Sequence, residues 1–307
     1  MTPTQEPATL KILEFLTYCG ARNLSPNTVR AYRADLAQFF ELSGGSAITM
    51  ECLNRKLVRG FIVKLHNSGI MPQSLRRKIA AVKAFCKWCE AEGLMESSLI
   101  ESIAPPRGRN QMPDVPSEAE LKHLFEGEIP TRSPERDRVV IELLYGSGLR
   151  AAELIGINIE DFRDEDVLVV RGKGRRERLV IVGEYARDSI QAWLPVRAKL
   201  LAKFNLETSA LLFSVSPNRS FERLDVRSVG RIVKAVAEGR GLDPHKWHPH
   251  LLRHACGTHM HDHGAPLQSI GTLLGHAKLS TTEVYTRVSV GRMMKVYNHA
   301  HPHAVPA

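Results

Sequence analysis

Apolar positions in the first hundred residues recur at three- and four-residue spacing, the period of one buried helix face, and the runs stop at glycines. Residues 9–19 form the first run, with Leu10, Leu13, Phe15 and Leu16 expected on its core side. Ser25-Pro26 places an N-cap and an N1 proline ahead of a periodic run to residue 42, which Gly44-Gly45 ends. A third helix is expected over 54–67, closed by Gly69, and a fourth over 72–92, with Gly93 at its C-terminus. The pattern breaks at Ala104-Pro105-Pro106 and stays proline-rich to Pro116, a composition that suits an extended linker. Ser117, followed three residues later by Glu120, then signals a new helix start. Beyond it, β-branched runs over 166–171 and 178–182 bracket Gly172-Lys173-Gly174-Arg175-Arg176, a hairpin with a cationic tip. Helical periods resume over 184–203, 225–240, 249–263, 266–274, 281–288 and 291–298. The chain is therefore expected to be mainly α with a small β-hairpin or sheet. It divides into a helical domain 1–104, a linker 105–116 and a second domain 117–307 with a C-terminal tail helix.

Composition narrows the partners more than the fold. At 307 residues with 43% apolar and 24% charged positions, the chain reads as an ordinary globular protein with room for two cores. No run of 18 apolar residues and no basic-then-apolar leader occurs, so neither a membrane span nor a secretory signal is expected. Five scattered cysteines suit a reducing compartment, and a cytoplasmic location is the expectation. The net charge of +9 favours polyanionic partners. Residues 1–110 hold 15 Lys and Arg against 9 Asp and Glu, while 111–307 hold 27 against 24. The shorter first part is the more basic, as expected of a domain that grips a phosphate backbone.

Candidate chemistry lies in four short segments and one tyrosine. They are Gly148-Leu149-Arg150-Ala151-Ala152-Glu153-Leu154, the hairpin tip with Lys173, His250-Leu251-Leu252-Arg253-His254, Leu273-Leu274-Gly275-His276, and Tyr285 nine residues further on. Singly each has a bland explanation: an Arg at a helix start is usually structural, and a Tyr on an amphipathic helix usually belongs to the core. Their ordered combination resembles the catalytic signature of the tyrosine recombinases, or phage integrase family. That resemblance runs over nearly the whole chain and is greatest toward the Xer group, through Gly172-Lys173-Gly174, Arg178-Leu179-Val180, the stretch 273–288 and the ending His301-Pro302-His303-Ala304. It implies a four-helix, SAM-like core-binding domain followed by the catalytic domain. It also implies cleavage and rejoining of double-stranded DNA through a 3′-phosphotyrosyl intermediate and a Holliday junction. Four protomers, of this chain or with a paralogous recombinase, would act on two recombination sites, with a septum-associated DNA translocase as a further partner. The tail helix with Met293, Met294, Val296 and Tyr297 is expected to dock on a neighbouring protomer.

The residue types fit that chemistry. In-line attack on a phosphodiester puts negative charge on the nonbridging oxygens, which arginine forks match bidentately at any working pH. Arg150 and Arg253 are the candidates, with His250 and His276 adding hydrogen bonds. Tyr285 is the expected nucleophile; its phenol, with a pKa of about 10, needs cations nearby to react at neutral pH. Lys173 is the expected general acid for the 5′-oxygen, and Glu153 is expected to orient cationic side chains. No metal and no other cofactor is expected. For the first domain, Arg30, Arg33, Arg76, Arg77 and Lys83 are the candidate DNA contacts, mostly to phosphates.

Rival readings fall to specific residues. His250 and His254 have the spacing of a zinc protease helix, but Leu251 stands where the catalytic Glu belongs. The acidic run Glu160-Asp161 to Asp164-Glu165-Asp166 has no second cluster to build a two-metal nuclease and is expected to be a solvated turn. Cys86 and Cys89 have C-x-x-C spacing inside a helix, which suits core cysteines better than a redox pair. Gly172-Lys173 lacks the first Gly and the following Ser or Thr of a phosphate-binding loop. An integrase of a phage or other mobile element would share every catalytic residue, though many carry an extra N-terminal domain, whereas here the helical domain begins almost at once. A catalytically idle DNA-binding relative is disfavoured by the intact set of six positions, and a type IB topoisomerase resembles this chain less.

Overall fold

The computed structural model describes residues 7–95, 115–172, 177–215, 222–275 and 287–304. The chain separates into two compact units, Met1–Met112 and Pro113–Ala307.

The first unit is a helical bundle of α1 (Lys11–Ala21), α2 (Pro26–Ser43), α3 (Arg55–Asn67) and α4 (Pro72–Ala91). Local chemistry sets the helix starts. The Ser25 hydroxyl accepts from the Thr28 N–H at 3.1 Å, and the Asn54 carboxamide accepts from Leu57 N–H at 3.0 Å. The core is aromatic, with Phe39 edge-on to Phe61 at 5.0 Å between centroids and Phe85 edge-on to Phe40 at 5.9 Å. One sequence expectation fails here. Leu10 and Leu13 are 58% and 62% exposed, and α1 buries Phe15, Leu16 and Cys19 instead. Leu13 lies two residues, about 200°, from Phe15 around the helix, so the two cannot share a face. Cys86 and Cys89 are both fully buried on α4, and burial pushes the Cys89 thiol up to about 12.

Between α2 and α4 sits an interior ion cluster. Asp35 is completely buried and accepts from the Arg77 guanidinium and from Lys78 Nζ, the latter at 3.0 Å. A buried carboxylate requires such partners, so Arg77, a candidate DNA contact, also has an internal task. Arg30 and Arg33 are exposed on α2.

The second unit is built around α6 (Pro134–Tyr145), whose residues Val139, Val140, Ile141, Leu143, Leu144 and Tyr145 are all at most 1% exposed. It packs against α8 (Glu184–Phe204), α9 (Val226–Gly239) and α10 (Pro249–Asp262). Ahead of it, α5 (Glu118–Phe125) starts at the Ser117–Glu120 capping box. The short α7 (Ala151–Ile155) follows α6. A three-stranded antiparallel sheet comprises β1 (Phe162–Asp164), β2 (Val167–Arg171) and β3 (Glu177–Ile181), with Leu168 opposite Val180 and Val170 opposite Arg178. The strand β1 extends the expected hairpin. The acidic run beside it is not wholly a solvated turn: Asp161 is 5% exposed, accepts from Asn158 N–H at 2.8 Å and pairs with Arg171 at 3.0 Å.

The remaining helices are α11 (Leu267–Leu274) and α12 (Arg287–Ala300). The last helix is longer than the expected 291–298. Its apolar side, expected to dock on a neighbouring protomer, packs on its own unit against β3, α10 and α11, burying Met293, Tyr297 and Ala300. Residues 281–286 of the expected 281–288 helix lie outside the described residues. Among the described residues, no helix is long and apolar enough to cross a membrane.

Candidate active site

Two left-handed glycines position the site. Gly148, at φ +58°, turns the chain out of α6 so that Arg150 becomes the N-cap of α7; a Cβ there would collide with Leu274 and lie 3.2 Å from Cys256 Sγ. Gly275, at φ +67°, caps α11, and a Cβ there would lie 2.5 Å from Arg178 Cδ. Only glycine meets both demands at low cost. On α10, Pro249 at N1 and the His248 ring, whose Nδ1 accepts from Leu251 N–H at 3.0 Å, fix the helix start. His250 and Arg253 then follow at i,i+3, on neighbouring positions of one face.

Glu153 is the hub. Its carboxylate, on a residue only 4% exposed, accepts from the Arg150 backbone N–H at 2.9 Å and from Arg150 Nη1 at 2.7 Å. It also accepts from Arg178 Nη2 at 3.0 Å, and Arg253 Nη1 lies 3.8 Å away. Burial alone would raise this carboxyl. The Arg178 charge and hydrogen bond, with the bonds from Arg150, outweigh burial and hold it below the usual carboxylate range.

The three arginines differ in access. The Arg150 side chain is 40% exposed, and its Nη2 donates to the Gly275 carbonyl at 3.1 Å. Arg253 is 4% exposed and donates to the carbonyls of Gly148 and Leu274. Burial, then the charges of Arg150 and Arg178, bring Arg253 down to about 10, so it stays charged at neutral pH. His250 is exposed at the start of α10; partial burial and then Arg253, His254 and Arg150 depress its pKa, favouring the neutral imidazole.

The structure thus brings Arg150, Glu153, His250 and Arg253 together. Lys173, His276 and Tyr285 lie outside the described residues. The tip bearing Lys173 is flanked by β2 and β3, and His276 directly follows Gly275. Sequence reasoning missed Arg178 as a site residue. Its signal was parity, because it shares the inward side of β3 with Val180, where an apolar residue is the norm. Elsewhere in the histidine-rich segment, the His259 ring is engaged at both nitrogens, Nδ1 with Tyr145 OH at 3.0 Å and Nε2 with the Pro116 carbonyl at 2.9 Å. No metal-holding cluster of His, Cys, Asp or Glu occurs among the described residues.

The family model described as the phage integrase family matches residues 117–292, and that of the phage integrase N-terminal SAM-like domain matches 12–93. The chain belongs to the phage integrase family of tyrosine recombinases. Tyrosine recombinase XerC of Chlorobaculum tepidum is 36% identical over 95% of this chain and 94% of its own length. Tyrosine recombinase XerC of Syntrophus aciditrophicus is also 36% identical, over 95% of this chain and 97% of its own. Among solved structures, the XerH recombinase bound to its difH substrate aligns with a TM-score of 0.69 at 18% identity, covering 95% of each chain, a likeness of fold. As a member of this family the chain is a DNA-binding, site-specific strand transferase, and its full-length similarity is to the Xer group.

Proposed function

We propose that this tyrosine recombinase resolves chromosome or plasmid dimers by an Xer-like reaction in which Tyr285 attacks the scissile phosphate. The observation that supports it best is the convergence of Arg150 and Arg253 on the Glu153 carboxylate, with Arg150 open to solvent and His250 beside it. Fixed guanidinium groups aimed at a phosphate stabilise the charge that develops on its nonbridging oxygens, an effect typically worth a factor of about 10² to 10³ per donor. In this reading Glu153 orients the arginines rather than moving a proton, because it is held ionised and, among the described residues, its carboxylate bonds to guanidinium groups and a backbone N–H.

The step balances without a cofactor. The Tyr285 oxygen forms a bond to phosphorus as the bond from phosphorus to the 5′-oxygen breaks; the phenolic proton passes to water, and the Lys173 ammonium supplies one to the leaving oxygen and is reprotonated from solvent. The 3′-phosphotyrosyl diester keeps the energy of the bond it replaced. A partner strand's 5′-hydroxyl therefore reverses the step, and no ATP is consumed. His250 and His276 hydrogen-bond the same phosphate oxygens. The protein works in the cytoplasm as a tetramer of itself, or with a paralogous recombinase, on two sites joined through a Holliday junction, in concert with a septum-associated DNA translocase. In the first unit, Arg30, Arg33, Arg76, Arg77 and Lys83 contact the DNA backbone.

A nicked duplex tests this reading, carrying a site that the chain itself selects from random-sequence DNA. Loss of the downstream fragment at the nick traps the covalent adduct. The wild-type chain is expected to form the adduct and Tyr285→Phe to form none; an adduct in the mutant would refute the nucleophile assignment.

A further inference from the structure

We infer that Arg178 is a positioning residue for strand cleavage, acting through Glu153 and the end of α11 rather than on the phosphate itself. This rests on the recombinase reading above and goes beyond its set of six catalytic positions and Glu153.

All three nitrogens of the guanidinium are committed inside the protein. Nη2 donates to Glu153 Oε2 at 3.0 Å, Nη1 donates to the Leu273 carbonyl at 2.7 Å, and Nε faces Glu153 Oε1 at 3.5 Å. Burial alone does not set Arg178 apart, since its side chain is 9% exposed and that of Arg253 5%. What does is that Nη2 and Nε of Arg178 are paired with the Glu153 carboxylate, whereas Arg253 spends its donors on carbonyls and lies 3.8 Å from Glu153. The Arg178 stem also packs on Gly275, where a Cβ would come within 2.7 Å of Nε. One side chain therefore spans three segments that carry proposed catalytic groups. It stands on β3, five residues after Lys173. It binds the carboxylate that orients Arg150 and approaches Arg253. It also holds the last turn of α11, whose Leu274 and Gly275 carbonyls receive Arg253 and Arg150 and which leads into His276.

This arrangement makes a geometric demand that a simple charge does not meet. A guanidinium fork reaches a carboxylate and a carbonyl at once; an ammonium in its place satisfies one and loses the other. With the fork gone, Glu153 is freed from its principal cation and α11 loses its tie to β3. Arg150 and Arg253 then drift from the positions the phosphate requires, and a displacement near 1 Å costs about 100-fold in rate.

The test uses the full-length chain and the nicked duplex described above, with Arg178→Met, Arg178→Lys, Glu153→Gln and the Arg178→Met/Glu153→Gln double variant. Thermal melts check folding, filter binding gives Kd, and single-turnover adduct formation is followed against pH. Arg178→Met is expected to cleave about 100-fold more slowly with Kd within about threefold of wild type, because no phosphate contact is lost. Its acid limb should move to higher pH, since Glu153 then protonates more readily. Arg178→Lys should restore the acid limb while recovering only part of the rate. The double variant should be no slower than the slower single variant, the signature of two residues acting through one another. A folded Arg178→Met that cleaves at the wild-type rate, or rate losses that multiply in the double variant, would overturn the inference, as would a loss confined to Kd. If Arg178→Met does not fold, Arg178→Lys decides alone: wild-type rate with an unmoved pH profile overturns it. Absence of adduct with the wild-type chain instead overturns the recombinase reading on which it rests.

Discussion

Replacing Gly148 with alanine should be among the most damaging single-methyl changes in the second unit. The residue sits at φ +58°, where an L side chain costs about 1–2 kcal/mol. The added Cβ would also overlap Leu274 Cδ2 and lie 3.2 Å from Cys256 Sγ, both in the core. Forcing a methyl into a filled core costs about 1–3 kcal/mol, so the whole penalty is about 2–5 kcal/mol. Function should suffer separately, because the Gly148 carbonyl accepts from Arg253 and any shift of that peptide moves the guanidinium. Gly230 supplies the control: it lies within α9, where an alanine methyl would meet no described atom within 4 Å beyond its chain neighbours and the backbone of its own helix, and its φ is outside the left-handed region, so Gly230→Ala should stabilise by about 0.5–1 kcal/mol. Urea denaturation followed by fluorescence reads both, because Trp193 and Trp247 are buried in the same core as Leu274. If Gly148→Ala unfolds within about 0.5 kcal/mol of wild type, less than the lower bound of the steric cost, the assignment of this turn is wrong.

Asp35→Asn should destabilise the first unit by about 2–3 kcal/mol in urea melts, because it leaves Lys78 largely buried without its counter-charge; the figure is discounted because Arg77 is half exposed. Acid should weaken the second unit through His301. Its Nδ1 accepts from the His303 N–H at 3.0 Å and its Nε2 faces the Tyr145 carbonyl at 3.3 Å, an arrangement that requires the neutral ring, and burial followed by the nearby His303 brings its pKa down to about 3. The folded pKa lies below the unfolded value of about 6.5, so this stability is complete above pH 6.5 and is lost as pH falls through the window toward 3, at about 1.4 kcal/mol per pH unit. Thermal melts from pH 7 to 5 should show the fall, and His301→Phe should flatten it; an equally steep dependence in the variant would refute the assignment. On the DNA side, Arg33→Ala should reduce the salt dependence of binding by about one unit of slope, measured by titration at several salt concentrations, and an unchanged slope would remove Arg33 from the interface.

The parts of the fold that are readable in the sequence are those set by local chemistry. Ser25-Pro26, Asn54 and Pro72 mark helix starts whatever surrounds them, and α2, α3 and α4 begin at or beside those residues. The central helix α6 carries the same kind of start at Ser133-Pro134, but its body is hard to read, because residues 139–145 are apolar on nearly every side and carry no period to distinguish helix from strand. The face of α1 is ambiguous for a related reason: several leucines compete for one side, and only packing against α2 and α4 selects Phe15, Leu16 and Cys19. In the site, Arg150, Glu153 and Arg253 are visible as residue types in a characteristic order. The Arg150–Glu153 contact is local, at i,i+3, and parity marks Arg178 as inward on β3, but the meeting of Arg178 and Arg253 at Glu153 is a product of tertiary structure that no linear spacing encodes.

Those contacts also explain why the proposed phosphate site contains a carboxylate at all. At an effective dielectric of about 20, two guanidiniums about 5 Å apart repel by on the order of 3 kcal/mol, so three arginines could not be packed together without a counter-charge. Glu153 removes part of that repulsion and gives Arg150 and Arg178 fixed acceptors, at the expense of one unit of attraction for the DNA phosphate. Three cations against one anion still leave the cluster net positive, which is what the developing charge on the phosphate requires. The division of exposure follows from the same balance. Arg178 and Arg253 direct their donors inward to carbonyls and to Glu153, whereas Arg150 keeps 40% of its side chain open to solvent. In the reading proposed above, Arg150 therefore meets the phosphate first, and Arg253 must give up a carbonyl acceptor to follow.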